Sequence, residues 1–365
     1  MREKNIKYYL AIFILFLSAK SYSQNDNSSI IEQKSRLESK QLSVEAGSME
    51  EANNTIRSYL IDNFPLITDY TIERIISGRT TEIINKSETD KTSNFYKYIF
   101  NIPENYLADT AKILWELNIP EFRSNLYQLY KQDTIYLDTW NNVVGTNKDK
   151  TYAGYFEAFK IRNWPSWKDP EKGKEELPPT PPGPKNPLGL FAVHYDESSL
   201  RYFHGTNKPK LLNSKMRNLS HGCVRNENEN ILKMKEFIIK KVIKSKDLSL
   251  WLDSKKSMEY YLEKSERFPV RILYKTYNFS KDDTGPYVEL YKDIYNYSNP
   301  KYLEDKFNDA SLVFLSSKQN LVKEYRIKIG NDLNEDNLEK LINYILKNCG
   351  YYERYYLKDL IFQMN

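Results

Sequence analysis

Eight of the fifteen prolines fall between residues 163 and 187, at Pro165, Pro170, Pro178, Pro179, Pro181, Pro182, Pro184 and Pro187. Proline fixes φ and has no N–H to donate, so this stretch can form neither a helix interior nor a central strand. It is either a linker between domains or an ordered loop over a site. Trp164 and Trp167 favour the loop, since linkers are normally polar. The 365 residues leave room for two or three domains in all. Hydrophobic residues make up 40% and charged residues 28%, which excludes a fully disordered or collagen-like chain. A mean hydropathy of −0.69 excludes a polytopic membrane protein. Two cysteines exclude a disulfide scaffold and any four-thiolate metal site, and three histidines exclude a His-rich one.

The N-terminus reads as a secretory signal peptide over residues 1–23. A basic start (Arg2, Lys4, Lys7) precedes the apolar run Tyr8 to Ala19, with small residues at Ser21 and Ser23. The run is shorter than the roughly 20 residues of a bilayer-spanning helix. The expected location is therefore outside the inner membrane, in the periplasm or cell envelope, with no membrane span after cleavage. Of the formal net charge of +5, +3 sits in residues 1–23, so the remainder is near +2. That balance calls for no nucleic-acid partner.

Residues 24–40 read as a polar leader, and 24–117 as a largely helical N-terminal region. Helices are expected over Ser43 to Phe64 and, on the spacing of Leu107, Ala111, Ile113, Leu114 and Leu117, over Glu104 to Asn118. Asn125 to Tyr130 and Thr134 to Trp140 read as a hairpin, and Val143–Val144 as a strand end. Leu190 to Tyr195 and Arg201 to His204 read as strands. Asn226 to Ser245 is the clearest amphipathic helix. Phe268 to Thr276 and Tyr287 to Tyr291 suggest a second hairpin around Asp282-Asp283-Thr284-Gly285. A helix from Asp336 to Asn348 is expected to end at Gly350 as its cap. The expected fold class is α+β, mostly β, with a sandwich-like core.

Seven of the twelve glycines, all three histidines and one cysteine lie between residues 145 and 223. The densest element is Ser220-His221-Gly222-Cys223-Val224-Arg225, and upstream stands His204-Gly205-Thr206-Asn207, with His204 nineteen positions before Cys223. A free thiol titrates near 8.5, so a cysteine nucleophile needs a base or a positive field. The following helix could supply the field through its N-terminus, and Gly222 would allow a tight turn. The amides of 222–224 would then face a developing oxyanion. His204 is the preferred base, since it comes from a separate strand; His221 competes. A mixed zinc site from His194, His204, His221 and Cys223, and a Cys223–Cys349 disulfide, remain open alternatives.

These residues resemble the signature of the L,D-transpeptidases, whose catalytic domain is called YkuD-type. Pro181-Pro182-Gly183-Pro184-Lys185-Asn186-Pro187-Leu188-Gly189 is similar to the stretch that precedes the catalytic strands in that family, and Asn118-Ile119-Pro120 resembles its opening strand. The resemblance runs from Asn118 to Phe237, more weakly to Tyr295. It implies a catalytic domain over 118–299, with 163–187 as its Pro-rich loop and 300–365 as an extension of unknown role. It implies that Cys223 attacks the third residue of a peptidoglycan stem tetrapeptide and releases D-alanine. The thioester then passes to an amine: a second stem or a wall-attached protein. His204 matches the base, Gly205 the carbonyl that orients it, and His221 and Gly222 positions of the nucleophile loop. Arg225, Ser220, Thr206, Asn207 and Tyr202 are expected around the substrate. No cofactor and no metal are implied.

Overall fold

The computed structural model describes residues 38–84, 95–169 and 177–364. The expected signal peptide and most of the polar leader lie outside the described residues, as does part of the Pro-rich loop. The chain opens with β1 (Ser39–Ala46), α1 (Met49–Asn63), α2 (Asp69–Ser77), β2 (Thr80–Ile84), β3 (Phe95–Pro103) and α3 (Glu104–Leu107). Strands β4 (Lys112–Asn118), β5 (Arg123–Tyr130), β6 (Asp133–Asn141), β7 (Val144–Gly145), β8 (Gly154–Ala158) and β9 (Lys160–Asn163) follow. After the Pro-rich loop come β10 (Phe191–Asp196), β11 (Arg201–His204), β12 (Asn218–Ser220), β13 (Val224–Arg225) and α4 (Asn228–Phe237). The C-terminal part holds β14 (Met258–Tyr261), β15 (Phe268–Lys275), β16 (Tyr277–Asp282), β17 (Gly285–Leu290) and α5 (Pro300–Leu303). It ends with β18 (Val313–Phe314), α6 (Lys318–Lys328), α7 (Glu335–Asn348), β19 (Arg354–Tyr356) and α8 (Leu357–Met364).

Two sheets carry the centre of the molecule. One has the order β18-β15-β4-β5-β6, with β8 also pairing β15; the other runs β13-β11-β10-β9-β14. Only Phe159 separates β8 from β9, so the chain steps from one sheet to the other at a single corner. Alternation then sorts side chains by face. Ile161, Val193, Phe203 and Val224 point inward and are fully buried. Inside, Trp115 stacks on Phe203 and Phe156 meets Tyr195, which joins the two sheets face to face. A separate apolar core lies between the β16-β17-β19 sheet and α6, α7 and α8, built from residues such as Phe279, Tyr325, Leu341 and Leu360.

Four expectations are corrected. The helix expected over Glu104 to Asn118 is a single turn followed by β4. That strand lies between β15 and β5 with both faces covered, and a strand buried on both faces reads as an unbroken apolar run. Phe268–Lys275 does not pair with 287–291; it is the central strand β15. The hairpin is β16 with β17, closed by Asp282 Oδ1 accepting from the Thr284 and Gly285 amides at 2.8 and 3.3 Å. Ser43 to Ala46 is strand, not helix: α1 starts only after Ser48, whose Oγ accepts from Glu51 N–H (3.1 Å) while Glu51 accepts from Gly47 N–H (2.9 Å). The C-cap of α7 is Cys349 in an extended conformation, not Gly350. The N-terminal region therefore contains the sheet β1-β3-β2 as well as helices.

Candidate active site

The outward face of the β13-β11-β10-β9-β14 sheet gathers the chemistry. Register places His194 opposite Tyr202 and Lys160, and His204 opposite Ala192 and Arg225. Arg162 lies opposite Ala192 and Glu259. Tyr202, His204 and Arg225 thus share one face, and Cys223, one residue before β13, continues that alternation. Glu259 pairs with Lys160 at 3.0 Å and Arg162 at 3.9 Å, partly neutralising the far end.

His204 is buried, and its Nδ1 lies 2.6 Å from the Gly205 carbonyl oxygen. A carbonyl only accepts, so Nδ1 carries the proton and Nε2 keeps its lone pair. Burial, with Arg225 adding to it, holds the imidazole down at about 3. It is therefore a neutral ring able to take a proton. Gly205 has no room for a Cβ, which would collide with Asn228 Oδ1. Asn228, the first residue of α4, clamps the next residue on both sides: its Oδ1 accepts from Thr206 N–H (3.1 Å) and its Nδ2 donates to the Thr206 carbonyl (2.8 Å).

Cys223 is half-buried and free, as is Cys349, so the disulfide alternative is not formed. Its Sγ–H donates to the Leu200 carbonyl at 3.7 Å rather than to His204. Burial raises the thiol above its ordinary value. The Tyr202 backbone N–H, the Arg201 charge, the Tyr202 hydroxyl and Arg225 pull the other way. The α4 N-terminus begins only at Asn228, with Glu227 at its N-cap, and the groups that favour the thiolate are the Tyr202 backbone N–H and hydroxyl, Arg201 and Arg225 rather than the helix dipole expected from sequence.

The nucleophile loop is braced from within. Gly222 stands at φ 104°, its N–H donates to Ser220 Oγ (3.1 Å), and Ser220 Oγ donates to the Cys223 carbonyl (2.5 Å). The Gly222 amide is thus engaged and does not face an oxyanion as expected. Thr151 Oγ1 donates to the Gly222 carbonyl (2.7 Å) and accepts from Gly145 N–H (2.9 Å). Val143 and Arg225 exchange backbone bonds at 3.1 and 2.9 Å, and Asn226 N–H donates to the His204 carbonyl at 2.8 Å.

Not every expected substrate contact faces outward. Ser220 and Thr206 are buried and spend their hydrogen bonds on their own loops. Asn207 Nδ2 holds the Lys185 carbonyl of the Pro-rich loop at 2.9 Å. Tyr202 and Arg225 remain on the open face, and Arg225 Nε has no partner among the described residues. His221 is exposed. His194 stacks on Tyr202 with centroids 4.4 Å apart. Among the described residues no group of three His, Cys, Asp or Glu side chains is arranged to hold a metal ion. Nor is any helix there long and apolar enough to cross a membrane. Sequence reasoning missed Arg201 and Asn228. Asn228 stands where a helix N-terminus was expected; Arg201 carried no motif signal.

Residues 116–243 match the family described as the L,D-transpeptidase catalytic domain (YkuD). No curated protein sequence matches the chain. Among solved structures, the chain is similar to Bd1075 of Bdellovibrio bacteriovorus at 12% identity, over 45% of this chain and 48% of that chain, with a TM-score of 0.26. This chain thus spans about half of that one. It is similar to L,D-transpeptidase 3 of Mycobacterium tuberculosis, solved in complex with a faropenem-derived adduct, at 11% identity, over 56% and 83% of the two chains, with a TM-score of 0.27. It is also similar to the helical cell shape determining protein Pgp2 of Campylobacter jejuni at 11% identity, over 70% and 68%, with a TM-score of 0.25.

Proposed function

Residues 116–243 belong to the YkuD-type L,D-transpeptidase catalytic domain family, and from that premise we propose that this chain is a cell-wall acyl-transfer enzyme with Cys223 as nucleophile and His204 as base. The observation that supports it most directly is the shared face of β11 and β13. It holds a neutral, Nδ1-anchored imidazole and a thiol in neighbouring strands, beside the unpartnered Arg225 Nε. The substrate is the peptidoglycan stem tetrapeptide, so the enzyme acts outside the cytoplasm, in the envelope.

The reaction follows from those groups. The Sγ proton moves to His204 Nε2 as sulfur bonds to the carbonyl carbon of stem residue three. The tetrahedral adduct collapses, the C–N bond to D-alanine breaks, and the imidazolium returns its proton to the leaving amine. An acceptor amine then attacks the thioester and loses a proton to the imidazole. The S–C bond breaks and the thiol is restored. A second stem, a protein amine or water can fill the acceptor role. Tyr202 and Arg225, on the open face, are the groups that would meet the donor.

Incubating the protein with disaccharide tetrapeptide and identifying products by mass spectrometry tests the reading. Free D-alanine with cross-linked or trimmed stems is expected, and Cys223→Ala should yield none. Carbapenem exposure should add a covalent mass at Cys223. A folded wild-type protein giving neither product nor adduct refutes the assignment.

A further inference from the structure

Three consecutive residues of another segment surround the Cys223 sulfur. Leu200 turns the chain at φ 54° and offers its carbonyl to the thiol at 3.7 Å. The Tyr202 backbone N–H and hydroxyl favour the thiolate. Between them, the Arg201 guanidinium lies against Gly222: a Cβ on that glycine would collide with Nε, Cζ and Nη2. The guanidinium is fixed from two directions. Nε donates to the Lys150 carbonyl at 3.1 Å, and Nη1 donates to the Ser199 carbonyl at 2.8 Å. The Tyr152 ring sits beneath it, with Cζ 5.5 Å from the centroid. An arginine held this way is a fixed charge rather than a mobile surface one.

Resting on the assignment of Cys223 as nucleophile, we propose that Arg201 is a positioning residue that holds the Cys223 thiolate, supplying a fixed positive charge beside the sulfur and occupying the space that Gly222 leaves open. The charged and titratable groups around the sulfur are Arg201, Tyr202 and His204 from β11 and Arg225 from the nucleophile's own strand, with the buried Tyr195 of β10 beneath. Burial opposes ionisation of this thiol. Of the two cations Arg201 exerts the larger pull toward the thiolate. The side chain also explains why residue 222 is glycine: the nucleophile loop and the arginine compete for one volume.

The test reads thiolate formation without substrate. The rate of iodoacetamide alkylation at Cys223, resolved from Cys349 by peptide mass spectrometry, is followed from pH 5 to pH 11. Arg201→Met should raise the alkylation midpoint by about one pH unit and slow the reaction about tenfold at pH 7. Arg201→Lys should keep the midpoint near wild type. Arg201→Gln keeps an amide donor at the depth of Nε for the Lys150 carbonyl and removes the charge, so it should shift the midpoint as methionine does even if the methionine variant folds poorly. An unchanged midpoint in folded Arg201→Gln overturns the proposal, whatever happens to its melting temperature. Absence of tetrapeptide turnover by wild type, with the midpoint shift intact, would sink the enzymatic reading alone.

Discussion

The Trp115 indole and the Phe203 ring lie stacked, with centroids 3.9 Å apart and planes 5° from parallel. Trp115 belongs to β4 of one sheet and Phe203 to β11 of the other, and Phe203 directly precedes His204. Both are fully buried, and Trp140 packs edge-on against Trp115 at 5.6 Å. Trp115→Ala should therefore cost about 3–5 kcal/mol of stability, measured by denaturant unfolding. The Trp115 Nε1 has no partner, so Trp115→Phe loses no hydrogen bond and should cost about 1–2 kcal/mol. If alanine costs no more than phenylalanine, the stack does not join the sheets.

Asn228 makes its own prediction. It holds Thr206 from both sides and fills the volume beside Gly205, so it sets the position of the carbonyl that orients His204. Asn228→Asp keeps the acceptor and replaces the Nδ2 donor by a second oxygen facing the Thr206 carbonyl. We expect a loss of about 1–3 kcal/mol and a fall in kcat on the tetrapeptide. Asn228→Ala should cost a similar amount, because both Thr206 backbone groups lose their partner. Equal kcat for Asn228→Asp and wild type would remove Asn228 from the positioning of the base.

What could be seen in the sequence follows from local rules. The β5–β6 hairpin alternates and shows its turn, and the Ser-His-Gly-Cys and His-Gly-Thr-Asn segments bring scarce residue types together. β4 reads as a helix because a central strand has two buried faces, so its apolar run lacks the period that identifies a strand. β15 reads as a strand but with the wrong partner, because β4 and β8, which flank it, lie more than a hundred positions upstream. Arg201 was invisible for a different reason. Its partners, Lys150, Gly222 and Tyr152, are 21 to 51 positions away, and only sheet pairing brings them together. The same holds for the inward turn of Ser220 and Thr206: a motif shows which residues recur in a loop, but not which of them brace it.

Acid lability follows from two histidines. Burial holds both His194 and His204 at about 3. An unfolded imidazole titrates near 6.5, so between pH 3 and 6.5 the unfolded chain binds two protons that the folded one refuses. Stability therefore rises with pH across this window and is lost as pH falls below about 6.5. The limiting slope is about 1.4 kcal/mol per pH unit for each histidine. His194→Gln should roughly halve that slope in thermal unfolding followed from pH 7 to pH 4. A wild-type melting temperature that stays flat from pH 6.5 to pH 4.5 contradicts the burial of both rings.

The Pro-rich loop is braced within itself and tied to the His204 loop through Asn207. Asn186 Nδ2 donates to the Thr180 and Pro181 carbonyls, both at 3.0 Å, and its Oδ1 accepts from Leu188 N–H at 2.9 Å. Trp167 and Thr180 exchange backbone bonds at 3.0 and 2.7 Å. Asn207 reaches from the His204 loop to Lys185. We propose that the segment covers the thioester formed on Cys223 and excludes water, so that an amine wins over hydrolysis. Deleting 170–180 removes the Thr180 tie and should raise the hydrolysed share of products at least about twofold. Asn207→Ala, which frees the loop at one point, should raise it less. The measurement is the ratio of trimmed to amine-transferred stems at a fixed acceptor concentration. An unchanged ratio after the deletion would discard the lid and leave the loop as passive cover.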